Sequence, residues 1–209
     1  YGCEKFIPDF SPAYLHKKLQ KVGENRLPLW KGETLDTFCD EIFPVIFDPQ
    51  VLPKRVNKTH GDDLLLTSAC HFYENVTQAE AEAFYENQKA SDAANDTPPS
   101  FGLNSTLVKE DGEIKELVWS AKGCYAKAIC HIIYWLRKAC EVAENKQQRK
   151  VISLLISYYE SGDLQTFNKF CIEWLKEQDG DIDFINGFIE VYGDPLGLKG
   201  SWEGLVEYI

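Results

Sequence analysis

No methionine occurs among the 209 residues of this chain. A chain without one cannot begin at its own initiator, so the sequence reads as an internal piece of a longer protein. A long hydrophobic run is also missing. No apolar stretch approaches the ~18–20 residues that a membrane-spanning helix needs, and no membrane partner is expected. Clustered basic charge is absent too. Lys and Arg number 22 against 33 Asp and Glu, for a net charge of −11. A nucleic-acid binder needs a cationic face to displace counterions from phosphates, so nucleic acid is excluded as a partner, and an anionic membrane surface is disfavoured for the same reason.

Metal-binding patterns are equally scarce. The four histidines, His16, His60, His71 and His131, form no H-E-x-x-H and stand at no metal-ligand spacing. The acidic run "QDGDIDFINGFIE" resembles a calcium loop only briefly, because the position that requires glycine is occupied by Phe184. Cys70-His71 and Cys130-His131 are sequence neighbours that point apart on a helix or strand, so they read as packed core residues rather than as nucleophile and base. Cysteines stand at 3, 39, 70, 124, 130, 140 and 171. The odd number and irregular spacing suit free, buried thiols in a reducing compartment, and a cytoplasmic location is expected. The sequons at Asn57, Asn75, Asn95 and Asn104 are read as chance occurrences.

What is present is a globular composition, 44% hydrophobic and 13% aromatic. "SPAYLHKKLQKVG" predicts a helix capped by Ser11, with Pro12 at its first position and Gly23 as its stop. "TLDTFCDEIFP" predicts a shorter one, capped by Thr34 and ended before Pro44. The apolar run "DDLLLTSACHFYE" is ambiguous and leans to strand. "TQAEAEAFYENQK" opens with a capping box, Thr77 and Glu80. The polar loop 89–100 is the expected internal boundary. "SFGLNSTLVKEDGEIKELVWS" predicts a hairpin turning at Asp111-Gly112. Tyr125, Ala128, Ile129, Ile132, Leu136, Ala139, Cys140 and Ala143 share a helical face. A second helix stops at Gly162, and Asp163 caps a third. The fold class is α+β, mostly α: helices around a small β-core and hairpin. Four regions are expected: a helical and strand part at 1–95, the hairpin at 96–121, a helical part at 122–180, and a β-core strand with its following segment at 184–209.

The phrase "GFIEVYGDPLG", 187–197, alternates apolar and polar residues between glycines. It predicts a strand over 187–192 with Phe188, Glu190 and Tyr192 on one face, and Ile189 and Val191 packed behind. This phrase resembles the dipeptidyl peptidase III family, in which "GFIE-x-Y-x-DP-x-G" is followed by an aromatic-Glu-Gly. The resemblance is strongest over 156–204 and reaches "FGLNSTLVKEDGEIKELVW", "FIPDFS" and "PVIFDPQVLPKRVN". Gly193 and Leu198 look like the bacterial branch, which leaves an exported form open.

The resemblance implies a zinc-dependent exopeptidase with two lobes around a peptide cleft. This chain would be part of the substrate-binding lobe of a monomer, with the zinc ligands beyond Ile209 and the isolated piece inactive. It implies that Glu190 receives the free amino end of the peptide substrate and that Tyr192 reaches the scissile carbonyl oxygen as a catalytic residue. Glu203 would be a further substrate-binding carboxylate. The arginine the family would place near Thr106 is absent, so no substrate contact is assigned to the Asn104 loop. The rival reading is a non-catalytic peptide-binding or scaffold domain that shares the lobe.

Overall fold

The computed structural model describes residues 4–92, 94–95 and 97–208. Cys3 and Ile209 therefore lie outside the described residues. The chain forms two compact units. The first comprises the residues up to Asp62 together with Thr67–Ala69, and the second comprises Asp63–Leu66 and Cys70 onward. The polar loop at 89–100, expected as an internal boundary, lies inside the second unit.

Among the described residues the first unit carries two α-helices and a short 3-10 helix, Glu24–Arg26. α1 (Pro12–Val22) begins where the Ser11 hydroxyl accepts from the Tyr14 N–H, with Pro at its first position and Gly23 at its end. Gly23 has φ 86, a conformation glycine adopts without steric penalty. α2 (Leu35–Phe47) begins with a reciprocal Thr34–Thr37 capping box. It does not stop before Pro44 as the sequence predicts. Pro44 lies inside it, and the helix runs on through Val45, Ile46 and Phe47 to Asp48, whose N–H reaches the Pro44 carbonyl at 3.0 Å. Proline forfeits one backbone bond, but its own carbonyl still closes the last turn.

The second unit holds the remaining elements. The apolar run read as a strand forms turns over most of its length, and only Tyr73–Glu74 is strand (β1). Asp63 explains the turns: its carboxylate accepts the N–H groups of Leu65, Leu66 and Gln78, a side-chain alternative to sheet pairing. α3 (Gln78–Ser91) opens with the Thr77–Glu80 capping box. β2 (Ser105–Glu110) and β3 (Glu113–Val118) form the expected hairpin. Its turn residues Asp111 and Gly112 have φ 51 and 84, the positive values a two-residue hairpin turn requires. β1 adds to β2 in parallel, giving the order β1-β2-β3.

Three helices follow: α4 (Ala126–Glu141), α5 (Lys146–Ser161) and α6 (Leu164–Trp174). Gly162, at φ 74, ends α5, and the Asp163 carboxylate caps α6. On α4 the buried pair is Ile129 and Ile133, while Tyr125 precedes the helix, exposed and left-handed at φ 62. Most of the expected face is inward: Ile129 is buried and Ile132 and Leu136 pack against the core, with Ile133 added and only Tyr125 and Ala128 exposed. β4 (Ile182–Glu190) and β5 (Ser201–Tyr208) form a separate antiparallel pair.

The main core of this unit joins Phe72, Leu103, Trp119, Ile129, Leu155, Tyr158, Tyr159, Phe167 and Phe188, so the residues flanking the hairpin, the helices α4 to α6 and β4 share one interior. A second cluster, Leu65, Val76, Ala81, Tyr85 and Leu107, lies between α3 and the hairpin. The α+β class, mostly α, is the one expected. The thiols differ from expectation. The six described cysteines are free, but only Cys39 is buried, and Cys124 and Cys130 are exposed. His131 beside Cys130 is exposed as well, and so is His71, which stacks on Phe72 and Trp119 at 4.6 and 5.9 Å between ring centres. Asn57 and Asn104 are buried, at 1% and 2% exposure, and hydrogen-bonded inside the fold. As sequons they are inaccessible.

Candidate functional site

β4 lies against the core because Phe188 is 6% exposed and packs on Trp119, with ring centres 5.0 Å apart. The cross-strand register pairs Phe188 with Trp202 and Glu190 with Ser201, so Ile189 is an extra, bulged residue. Cross-strand partners share a face and successive residues alternate. Trp202 and Ser201 therefore lie on opposite faces of β5, and so do Phe188 and Glu190. This corrects the expectation that Phe188 and Glu190 line one face: strict period-2 counting fails at a bulge. The same register pairs Gly187 with Glu203, which puts Glu190 and Glu203 on one face.

The strand also ends sooner than expected. β4 stops at Glu190, and Tyr192 and Gly193 form a turn closed by the Asp194 N–H on the Val191 carbonyl at 3.1 Å. Tyr192 is 49% exposed. Glu190 is half-buried and Glu203 exposed. Among the described residues neither carboxylate has a hydrogen-bond or ion-pair partner. The structure thus brings Glu190 and Glu203 to one face of the pair, with Tyr192 at the corner that follows.

That corner is held by residues the sequence reading passed over. Asp194 is fully buried, and its carboxylate accepts the N–H groups of Leu196, Leu198 and Lys199 at 3.1, 2.7 and 2.8 Å, and the Tyr73 hydroxyl at 2.9 Å. Lys199 is fully buried too. Its ammonium donates to Ser105 Oγ at 2.9 Å and to the Tyr85 hydroxyl, with Glu116 Oε1 at 3.7 Å. Burial draws its pKa down to about 8, against the pull of Glu116 and Asp194. Burial, with the Asp194 charge, pushes the Tyr73 phenol far up, and burial with the Glu116 charge does the same to Tyr85. Gly200 completes the return into β5, donating its N–H to the Leu103 carbonyl at 2.8 Å. An aspartate ahead of a glycine-rich turn signals an Asx-type turn in sequence. The burial of Lys199 carries no local signal, because its partners lie on α3, β2 and β3.

Asn104, in the loop to which no substrate contact was assigned, donates to the Gly162 carbonyl at 3.0 Å. It thereby ties the hairpin to the end of α5. Among the described residues no three His, Cys, Asp or Glu side chains converge as metal ligands. The donors among the described residues do not make a zinc site.

The bulged β-pair thus carries two carboxylates that have no hydrogen-bond or ion-pair partner among the described residues, with a phenol at the corner that follows. A sequence model described as peptidase family M49 matches residues 55–209, and the chain belongs to that family. Among the relatives, dipeptidyl peptidase 3 of Dictyostelium discoideum is 24% identical over 229 residues, covering 100% of this chain and 30% of that protein. Dipeptidyl peptidase 3 of Homo sapiens is 25% identical over 131 residues, covering 62% of this chain and 18% of that protein. The chain thus spans about a third or less of the length of these relatives. In fold it is similar to the solved structure of DPP III from Caldithrix abyssi, with a TM-score of 0.52 and 19% identity over 93% of this chain and 34% of that one. It is also similar to dipeptidyl-peptidase III from Corallococcus sp. strain EGB, with a TM-score of 0.51 and 21% identity over 66% of this chain and 24% of that one.

Proposed function

We propose that this chain is the peptide-binding part of a zinc-dependent dipeptidyl peptidase that releases dipeptides from peptide amino ends, with the zinc ligands outside it. The whole protein would act as a cytoplasmic monomer. The observation that carries the reading is the M49 match across residues 55–209, which includes the corner where Glu190, Tyr192 and Glu203 lie. An enzyme that counts residues from an amino end must anchor an ammonium. A half-buried carboxylate without an internal partner does this by a charge-assisted hydrogen bond, and Glu190 has that character. Tyr192 is an exposed phenol on a short, tightly bonded turn. A neutral phenol can donate to an oxygen on which negative charge develops. Glu203, on the face of Glu190, adds a second negative charge toward the same ammonium or toward a basic side chain.

The test uses the full-length protein and small peptides with free or acetylated amino ends. Tyr192→Phe is expected to lower kcat with little change in KM, because the phenol meets charge that grows only in the transition state. Loss of one such donor typically lowers the rate ~10²–10³-fold. Glu190→Ala is expected to raise KM instead, because the ammonium is already charged in the ground state. N-acetylation should harm the wild type far more than Glu190→Ala. Equal harm to both would remove Glu190 from the role of amine anchor.

A further inference from the structure

Residues 191–200 link β4 to β5, and the turn from Gly193 to Gly200 begins three residues after Glu190. Its anchor is unusual in charge. Lys199 is fully buried, which is uncommon for lysine. Around its amino group stand the Tyr73 ring from β1, with the centroid at 5.6 Å, and the Tyr85 ring and hydroxyl from α3, with the centroid at 4.8 Å. Ser105 from β2, Glu116 from β3 and Asp194 from the turn itself complete the surroundings. Neither carboxylate depends on the lysine for its hydrogen bonds. Glu116 accepts from Tyr85 at 2.9 Å, Ser105 at 2.6 Å and Gln88 at 3.3 Å, and Asp194 accepts three backbone N–H groups and the Tyr73 hydroxyl.

We propose that Lys199 is a positioning residue: its buried amino group ties the 193–200 turn to α3 and the hairpin, and closure of that turn, and with it the placement of Tyr192, strengthens as Lys199 loses its proton. The part concerning Tyr192 rests on the function proposed above. The physical reason is burial. In the closed turn the ammonium is stripped of water, which disfavours its charged form, whereas the neutral amine can keep hydrogen bonds to Tyr85 and Ser105 with less desolvation. When the turn opens, the amine is hydrated and regains its ordinary pKa of 10.5, against about 8 when closed. The open form therefore binds more protons between pH 8 and 10.5, and rising pH favours the closed form across that window. The other groups facing the cluster act in the opposite sense, and at higher pH. Burial pushes the Cys70 thiol from its ordinary 9.0 up to about 11, and pushes the Tyr73 and Tyr85 phenols far above their ordinary 10, so their ionisation favours opening only as the pH passes 9 and 10, and the Lys199 effect dominates below pH 9.

The test is amide hydrogen exchange in the full-length protein from pH 7 to 9, corrected for base-catalysed exchange and read at Leu196, Leu198 and Lys199. Protection in the wild type is expected to rise about tenfold. Lys199→Met should remove that rise while leaving these amides protected, since both carboxylates keep their donors. Flat or falling protection in the wild type overturns the proposal without recourse to any variant, and so does a rise that persists in Lys199→Met. For the placement of Tyr192, kcat on a free-ended peptide should climb over the same pH range in the wild type and lose that climb in Lys199→Met, with KM unchanged. A kcat limb identical in both proteins overturns the positioning role. Absence of dipeptide release from the wild type would fail the peptidase reading instead, and the exchange data would then decide the turn closure alone.

Discussion

Gly200 shows how tightly the corner is built at the scale of a residue. A Cβ there would stand 2.8 Å from the Phe188 carbonyl carbon, and 3.0 Å from both the Phe188 oxygen and Leu103 Cδ1. Two of these contacts are backbone, so a side chain cannot be absorbed by a rotamer change. Gly200→Ala should therefore displace β4 at its bulge and destabilise the second unit by about 1–3 kcal/mol. That corresponds to roughly 2–4 °C in Tm per kcal/mol for a chain of this size. Thermal unfolding of Gly200→Ala against the wild type checks it, and an unchanged Tm would mean that β4 has slack at this point. The residues of the site divide by the same logic. Glu190, Tyr192 and Glu203 are candidates because they lie in or beside a distinctive phrase. Asp194 was half-legible as a turn former, and Lys199 was invisible, since a lysine among glycines and leucines reads as a solvated loop until its partners are known.

Capping gives the clearest prediction at the scale of an element. The Glu80 carboxylate is held at about 2 by its hydrogen bond to Lys109 Nζ at 2.6 Å and by the Thr77 N–H and hydroxyl. Its folded pKa is below the ordinary 4.5, so its contribution to stability is present above pH 4.5 and is lost as pH falls toward 2. Glu80→Gln keeps an acceptor for the capping bonds and removes the charge. The stability gap between the wild type and Glu80→Gln should be constant at neutral pH and close as the pH falls through 4 to 2. Denaturant unfolding at several pH values measures it, and a gap that persists at pH 2 would refute the assignment. The helices were read well because caps are local: Ser11, Thr77, Gly162 and Asp163 act within four residues. The errors have the same origin. Whether α2 stops at Pro44, or whether 62–74 is strand, turns on local bonds that compete with the apolar pattern: the Asp48 N–H on the Pro44 carbonyl, and the Leu65 and Leu66 N–H groups on the Asp63 carboxylate.

At the scale of the whole molecule, the metal content follows from which side chains converge. The described residues bring no three potential ligands together. The purified chain, stripped with a chelator and reloaded with zinc, is expected to retain well under one zinc per chain by metal analysis. One tightly held zinc would show a ligand set that these residues do not form as described. The two compact units were not legible either. The polar, proline-containing loop at 89–100 has the composition of a linker, yet Asn168 on α6 donates to the Thr97 and Pro98 carbonyls at 3.2 and 3.3 Å, which ties that loop into the second unit. Composition identifies a segment able to be a linker; only contacts between distant segments show whether it is one.

The sequence by itself determined the α+β class, the hairpin with its Asp111-Gly112 turn, most helix starts, and the phrase that marks the site, because each depends on neighbours a few residues away. The tertiary structure decided three things. It set the face on which Glu190 lies, because a single bulged residue, Ile189, shifts the alternation and is specified by pairing with β5. It ended the strand before Tyr192, because Asp194 gathers the N–H groups of the following turn. It also buried Lys199, because only the packing of α3, β2 and β3 against that turn excludes water from an amine that the sequence alone would leave in solvent.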